Sequence, residues 1–262
     1  MGGPMSSRVW AIGFVALALI WLYVPILVIV LFSFTTSPRL SLPIEGVTLE
    51  WYGKALSDPL MTTALANSLT LAAVTATVAG LLGAAFAFGL VALKRQRLRT
   101  GLLAASVLPA IVPLLVIGIA LAVFFRGLGM PQGMFNAAMG HILVCMPFVI
   151  LTMNARLETF DFSVLDAARD LGASPYQAFR DITFPLIRPS VLGSALLAAA
   201  LSLDEFVVTW FNIGNRLTVP VLVWGWMRRG VDPSINAIAT LLLSLLIALV
   251  LTAGLLTQKK KP

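Results

Sequence analysis

The chain has 262 residues, of which 11% are charged and 59% hydrophobic, with a mean hydropathy of +0.97; a soluble globular domain carries roughly 25% charged residues. The charges cluster between long empty intervals, as expected when lipid solvates most of the chain, and this excludes an ordinary soluble enzyme. The net charge of +7 comes from Lys and Arg beside apolar spans, where they set membrane orientation and call for no nucleic acid, and the sole cysteine, Cys145, excludes a disulfide or a Cys-based metal site.

The uncharged intervals predict an all-α integral membrane protein, a single transmembrane domain over residues 1–262 with six helices. The approximate spans are 10–34, 63–92, 101–125, 137–155, 190–212 and 235–257. The first runs from Trp10 to Phe34, longer than a signal-peptide core of about 7 to 15 residues, and no small-x-small site follows it, so it is read as a retained helix. The second lies in a 35-residue interval without a central turn cluster. Within it Ala76, Gly80 and Ala84 recur every four residues, a spacing that lets a neighbouring helix approach closely. In the third, Pro109 and Pro113 remove backbone donors, so a bend or local unwinding is expected, serving either a pathway or packing. His141, the only histidine, is read as a hydrogen-bonded interface residue of the fourth span.

Residues 158–188 form a loop of two short helices. Ser163 and Asp166 read as a capping box opening the first, and Gly172 as its left-handed end. Ser174, Pro175 and Gln177 read as a second cap, with Pro185 as the stop. Leu165, Ala168 and Leu171, then Tyr176, Phe179 and Ile182, give each helix an apolar face. Helices this short need a surface to rest on, either their own bundle or another protein. Lys and Arg count 12 on the side of this loop against 6 opposite, which places both termini and the loop in the cytoplasm.

Residues 166–185, DAARDLGASPYQAFRDITFP, resemble the EAA loop of ABC importer permeases of the type I kind. Asp166, Ala167, Ala168, Gly172, Ile182 and Pro185 fall in the pattern, while Asp replaces Glu at 166 and Phe replaces Leu at 184. LSLDEFVVTWF at 201–211, Trp51-Tyr52, Asn67-Ser68-Leu69 and residues 232–237 are similar to the spermidine/putrescine branch of that family. The resemblance implies that those six loop residues couple to an ATPase. It also implies a second permease subunit, related but a different chain, two ABC ATPase subunits, an extracytoplasmic solute-binding protein and a prokaryotic inner membrane. ATP and Mg would be bound by the partner ATPase and no cofactor by this chain. The function it implies is import of a polyamine, or of another small organic solute. No Walker A sequence occurs here, since Gly53-Lys54 continues into alanine without the upstream glycine.

The fifth span carries Asp204 and Glu205, costly within a membrane and without a Lys or Arg inside any span to pair with. These two are the candidate substrate-pathway residues. On a continuous helix they point about 100° apart. Glu205 then shares a polar stripe with Ser194, Ala198, Ser202, Thr209 and Asn212 and is expected to face the pathway, while Asp204 makes an interface or gate contact. Two alternatives stand: carboxyls hydrogen-bonded as subunit glue, or proton carriers of a secondary transporter. In the last outer loop Trp224, Trp226 and Met227 read either as interfacial anchors or as a cation-binding face.

Overall fold

The computed structural model describes residues 4–38, 42–228 and 233–258; among them the chain is helical, with one isolated antiparallel bridge between Thr35 and Val47 and no longer strand. Arg39, Arg229, Asp232, Lys259, Lys260 and Lys261, which enter the charge asymmetry or the resemblance, lie outside the described residues, as does the Arg8 side chain. The backbone divides into two compact units, residues 1–62 with 223–245 and residues 63–222 with 246–262.

In the first unit, α1 (Pro4–Phe32) passes through Pro25 without ending, and from Val9 to Phe32 its membrane-length window has no buried residue. An apolar helix with so little of its own chain around it is left for lipid or a partner chain to cover. Below it the chain is pinned by α2 (Glu50–Ser57). The Trp51 indole N–H donates to the Thr35 carbonyl at 2.6 Å, and the Ser33 and Tyr52 hydroxyls meet at 2.7 Å. The Trp51-Tyr52 pair singled out in the sequence thus closes the turn after α1, with the Phe34 and Tyr52 rings 5.4 Å apart.

The second unit opens within α3 (Pro59–Ala92), an unbroken helix of 34 residues whose start, up to Thr62, belongs to the first unit. Its buried face follows Ala72, Thr75, Ala79, Gly83 and Ala87, a helical stripe of small side chains that admits close neighbours. Gly80 and Ala84 are buried as expected and Ala76 is half-buried. The third span departs from one crossing helix: α4 (Gln96–Ile111) and α5 (Leu114–Gly127) are bent 96° from each other at Val112-Pro113. Pro113 supplies no N–H to bond back into α4, and the residue before a proline is driven out of helical geometry; Val112 has ψ 133°. Pro109 remains inside α4.

The core of this unit is α6 (Met134–Glu158), whose Ile142, Cys145, Val149, Met153 and Leu157 are buried against Ala79, Ala87, Ile187 and Ala198. At its end Arg99 reaches Glu158 at 2.9 Å and Asn154 at 3.4 Å, tying the start of α4 to the end of α6.

The loop helices are α7 (Ser163–Asp170) and α8 (Pro175–Ala178). From α8 the chain continues through a π-turn at Phe179–Thr183 into α9 (Phe184–Asp204), making one helical rod from Pro175 to Asp204. One expectation is corrected: Pro185 does not stop the second loop helix, and Pro189 too lies inside α9. In the π-turn the Phe184 N–H bonds to Phe179 five residues back, a shift in register that accommodates the donor Pro185 lacks. The fifth span is also interrupted, because α10 (Val207–Asn212) is a separate helix. The chain then forms α11 (Val219–Met227) and α12 (Pro233–Gln258). Trp224, Trp226 and Met227 therefore stand on a short helix instead of a loop, and the Arg228 guanidinium lies over the Trp224 ring, 5.5 Å from its centre.

Among the described residues four helices are long and apolar enough to cross a hydrocarbon core, and the bent α4–α5 pair makes five; the apolar stretch Pro233–Ala248 of α12 is shorter. The protein is thus a multi-pass membrane protein.

Candidate functional site

Neither glycine nor proline explains why the helix stops after Asp204. Glu205 ends one helix and holds the start of the next. Its backbone takes an extended conformation, φ −70° and ψ 105°, and its Oε1 accepts the Val208 N–H at 2.8 Å. A carboxylate three residues ahead of a free amide caps a new helix start, and its charge suits the positive end of the α10 dipole. The compensation sought for Glu205 comes from the backbone of its own chain.

Small residues seat α10. A Cβ on Gly140 would collide with the Val208 side chain, and one on Gly118 would come within 3.1 Å of Phe211. The Asn212 amide donates to the Gly118 and Val208 carbonyls at 3.0 and 2.9 Å, while the Gly133 N–H and the Gln132 amide donate to the Asn212 and Phe211 carbonyls. His141 is fully buried, with its ring nitrogens 2.7 Å from Ser202 Oγ on α9 and from Thr209 Oγ1 on α10. Gly140→Val is expected to destabilise the fold by about 1–3 kcal/mol, the usual cost of overpacking, because Val208 has no room to retreat. Thermal unfolding in detergent checks this, and an unchanged midpoint would show that the seat is loose.

The two helix breaks meet. Pro109, Ala110, Val112 and Leu114 from the first, Leu201, Asp204, Glu205, Phe206 and Val207 from the second, and Val144 and Phe148 of α6 line a cavity of about 320 Å³. The two candidate pathway residues are brought together here, with no Lys or Arg in the lining. Their environments differ in a way a continuous helix does not offer. Glu205 is 8% exposed and holds α10, whereas Asp204 is exposed and has no ion-pair partner among the described residues. Ser194, Ala198, Ser202, Thr209 and Asn212 are all buried within this chain, the first three on α9 and the last two on α10, so no continuous helix face joins them to Glu205. Helices α4 and α9 both end at the cavity, each contributing the negative end of its dipole beside the Asp204 carboxylate. Apolar walls around one free carboxylate suit a small organic cation.

The loop residues form a second constellation on the rod's other end. Gly172, at φ 85°, closes α7: its N–H bonds to the Arg169 carbonyl at 2.9 Å and the Ala173 N–H to the Ala168 carbonyl at 3.0 Å, the paired bonds of a Schellman turn. The expected Ser163–Asp166 capping box is absent. Asp161 caps instead, with its Oδ1 accepting the Ser163 N–H at 3.0 Å and hydroxyl at 2.7 Å, while Asp166 is exposed and lies 3.5 Å from Arg169. These bonds hold the Asp161 carboxyl below its ordinary pKa, so the cap is complete above the carboxylate range and is lost as pH falls through the lowered value. The Ser174–Gln177 box forms as expected, at 2.8 and 3.3 Å. Ala168 is buried and Leu165 packs on the α6 core, so one face of α7 rests on its own unit. Leu171, 90% exposed, and Tyr176, 68% exposed, face away with Ala167 and Pro185, and Ile182 is half-buried.

Residues 79–260 match the family profile described as "Binding-protein-dependent transport system inner membrane component". The putrescine transport system permease protein PotI of Escherichia coli is 37% identical over 92% of this chain and 88% of its own length. The spermidine/putrescine transport system permease protein PotC of the same organism is 35% identical over 98% of this chain and 97% of its own. The crystal structure of a bacterial ABC transporter involved in the import of the acidic polysaccharide alginate superposes with a TM-score of 0.73, covering 98% of both chains at 13% identity. A profile match over most of the chain, with the same fold and no nucleotide-binding motif, leads to one conclusion: the chain belongs to the family of binding-protein-dependent transport system inner membrane components and is the membrane permease subunit of an ABC importer, not its ATPase.

Proposed function

We propose that this permease carries polyamines of the putrescine and spermidine kind. The observation that carries the reading is the cavity where α4–α5 and α9–α10 break, with Asp204 free, no basic residue in its lining and apolar walls beside it. A polyamine is a chain of methylenes between ammonium groups, so one end suits the carboxylate and the alkyl segment the walls. Weak binding serves the purpose, since the cargo must also leave. PotI and PotC, the relatives named for putrescine and spermidine, add support from sequence.

In this reading the chain works with a related second permease, two ATPases that bind ATP and Mg, and a solute-binding protein. Six spans, with the bent pair as the third and α12 as the sixth, keep both termini and the loop on the ATPase side. Asp166, Ala167, Ala168, Gly172, Ile182 and Pro185 form the docking piece. The rod from Pro175 to Asp204 is 30 residues, about 45 Å at helical rise. A push on its loop end therefore arrives at the cavity.

The test is ATP-dependent uptake of labelled putrescine and spermidine into vesicles holding the whole purified complex, with excess unlabelled sugar and anion as competitors. Uptake that needs ATP and resists both competitors is expected. ATP hydrolysis without entry of either polyamine would sink the choice of cargo while leaving the importer class in place.

A further inference from the structure

His141 belongs to neither broken helix, yet it touches both sides of the second break. Its Nδ1 lies 2.7 Å from Ser202 Oγ, near the end of α9, and its Nε2 lies 2.7 Å from Thr209 Oγ1, in α10. The Thr209 hydroxyl is already committed, donating to the Glu205 carbonyl at 2.8 Å. A hydroxyl has one proton, so Nε2 must carry hydrogen and donate to Thr209, which leaves Nδ1 of the neutral ring to accept from Ser202. Ser202 Oγ also lies 3.4 Å from Thr75 Oγ1 on α3, a contact too long to hold the Ser202 proton against the 2.7 Å one with Nδ1.

The geometry points to His141 as a positioning residue for transport. It straps α9 to α10, fixes the opening between them, and so keeps the Glu205 carboxylate on the Val208 N–H while Asp204 alone is free for cargo. The need for such a strap is physical. Helix α10 has six residues, far too few to hold its own place. The break contains no proline or glycine to fix its angle. The two carboxylates are adjacent and chemically alike, and what separates them is that one is tied to a helix start whose position His141 sets. A buried hydroxyl at 202 and another at 209 give the imidazole a donor on one side and an acceptor on the other.

The inference rests on the reading that Asp204 meets the cargo, and its test separates the two. Uptake of labelled putrescine by the whole complex in vesicles is compared for Asp204→Asn against its parent in three backgrounds: wild type, His141→Phe and His141→Gln. The phenylalanine keeps the ring and loses both bonds, whereas the glutamine amide restores one donor and one acceptor. Asp204→Asn is expected to cost tenfold or more in the wild type and threefold or less with His141→Phe, since a released Glu205 takes over, and the cost should return towards tenfold with His141→Gln. An equal cost in all three backgrounds overturns the strap and leaves Asp204 in the pathway, because a merely structural histidine scales every rate alike. No cost in the wild type overturns the Asp204 reading and the strap's purpose with it. If His141→Phe does not assemble, Thr209→Val cuts the strap at one end and gives the same comparison.

Discussion

Asp204→Asn is expected to lower ATP-dependent uptake of putrescine by the reconstituted complex at least tenfold, with assembly of the complex unchanged. The side chain is exposed at the cavity and makes no ion pair among the described residues, so its loss removes nothing from the fold. What it removes is the charge opposite an ammonium group. At about 4 Å and an effective dielectric constant near 20 that pair is worth about 4 kcal/mol before desolvation is subtracted, and about 1.4 kcal/mol is a factor of ten. Glu205→Gln should be milder in assembly than Glu205→Ala, because a glutamine carbonyl still accepts the Val208 N–H that the carboxylate holds at 2.8 Å. If Asp204→Asn transports normally while the complex falls apart, the carboxylate is subunit glue, the alternative that the sequence left open.

Gly172→Val is expected to abolish most transport by a different route. Gly172 sits at φ 85°, where a β-branched residue is strained by roughly 1–3 kcal/mol. The strain falls on a Schellman turn between α7, whose eight residues do not persist alone, and the start of the Pro175–Asp204 rod. Relief comes by unwinding the end of α7, which moves exposed Leu171 and Tyr176 on the proposed docking piece. Uptake should fall tenfold or more, and ATP hydrolysis by the purified complex should lose its response to the loaded binding protein, while α3, α6 and α9 keep their packing. Unaltered coupling of hydrolysis to uptake would mean that the loop's conformation is not what the ATPase reads.

Much of this architecture was legible along the chain. The empty intervals mark α1, α3, α6 and α12, because lipid leaves a helix no alternative to a long apolar run. The Ser174-Pro175-Gln177 cap and the left-handed Gly172 were also readable, since both are local backbone chemistry. Asp204 and Glu205 stood out because charge is costly at that depth. Three readings went astray for a shared reason. Ser163 yields its cap to Asp161, Pro185 is absorbed by a π-turn, and the helix breaks at Glu205, each being a choice between local conformations that the sequence permits equally.

By itself, then, the sequence determined the all-helical membrane class and marked Asp204 and Glu205 as candidates, both of which follow from burial cost and near-neighbour spacing. Only the tertiary structure decided how those residues are held. Whether Glu205 continues a helix or caps a new one depends on whether a slot exists for α10, and that slot is made by Gly118 and Gly140, 87 and 65 residues earlier in the chain. His141 finds Ser202 and Thr209 across 61 and 68 residues. Contacts at such separation have no periodicity to betray them, and they are what leaves one carboxylate tied and the other free.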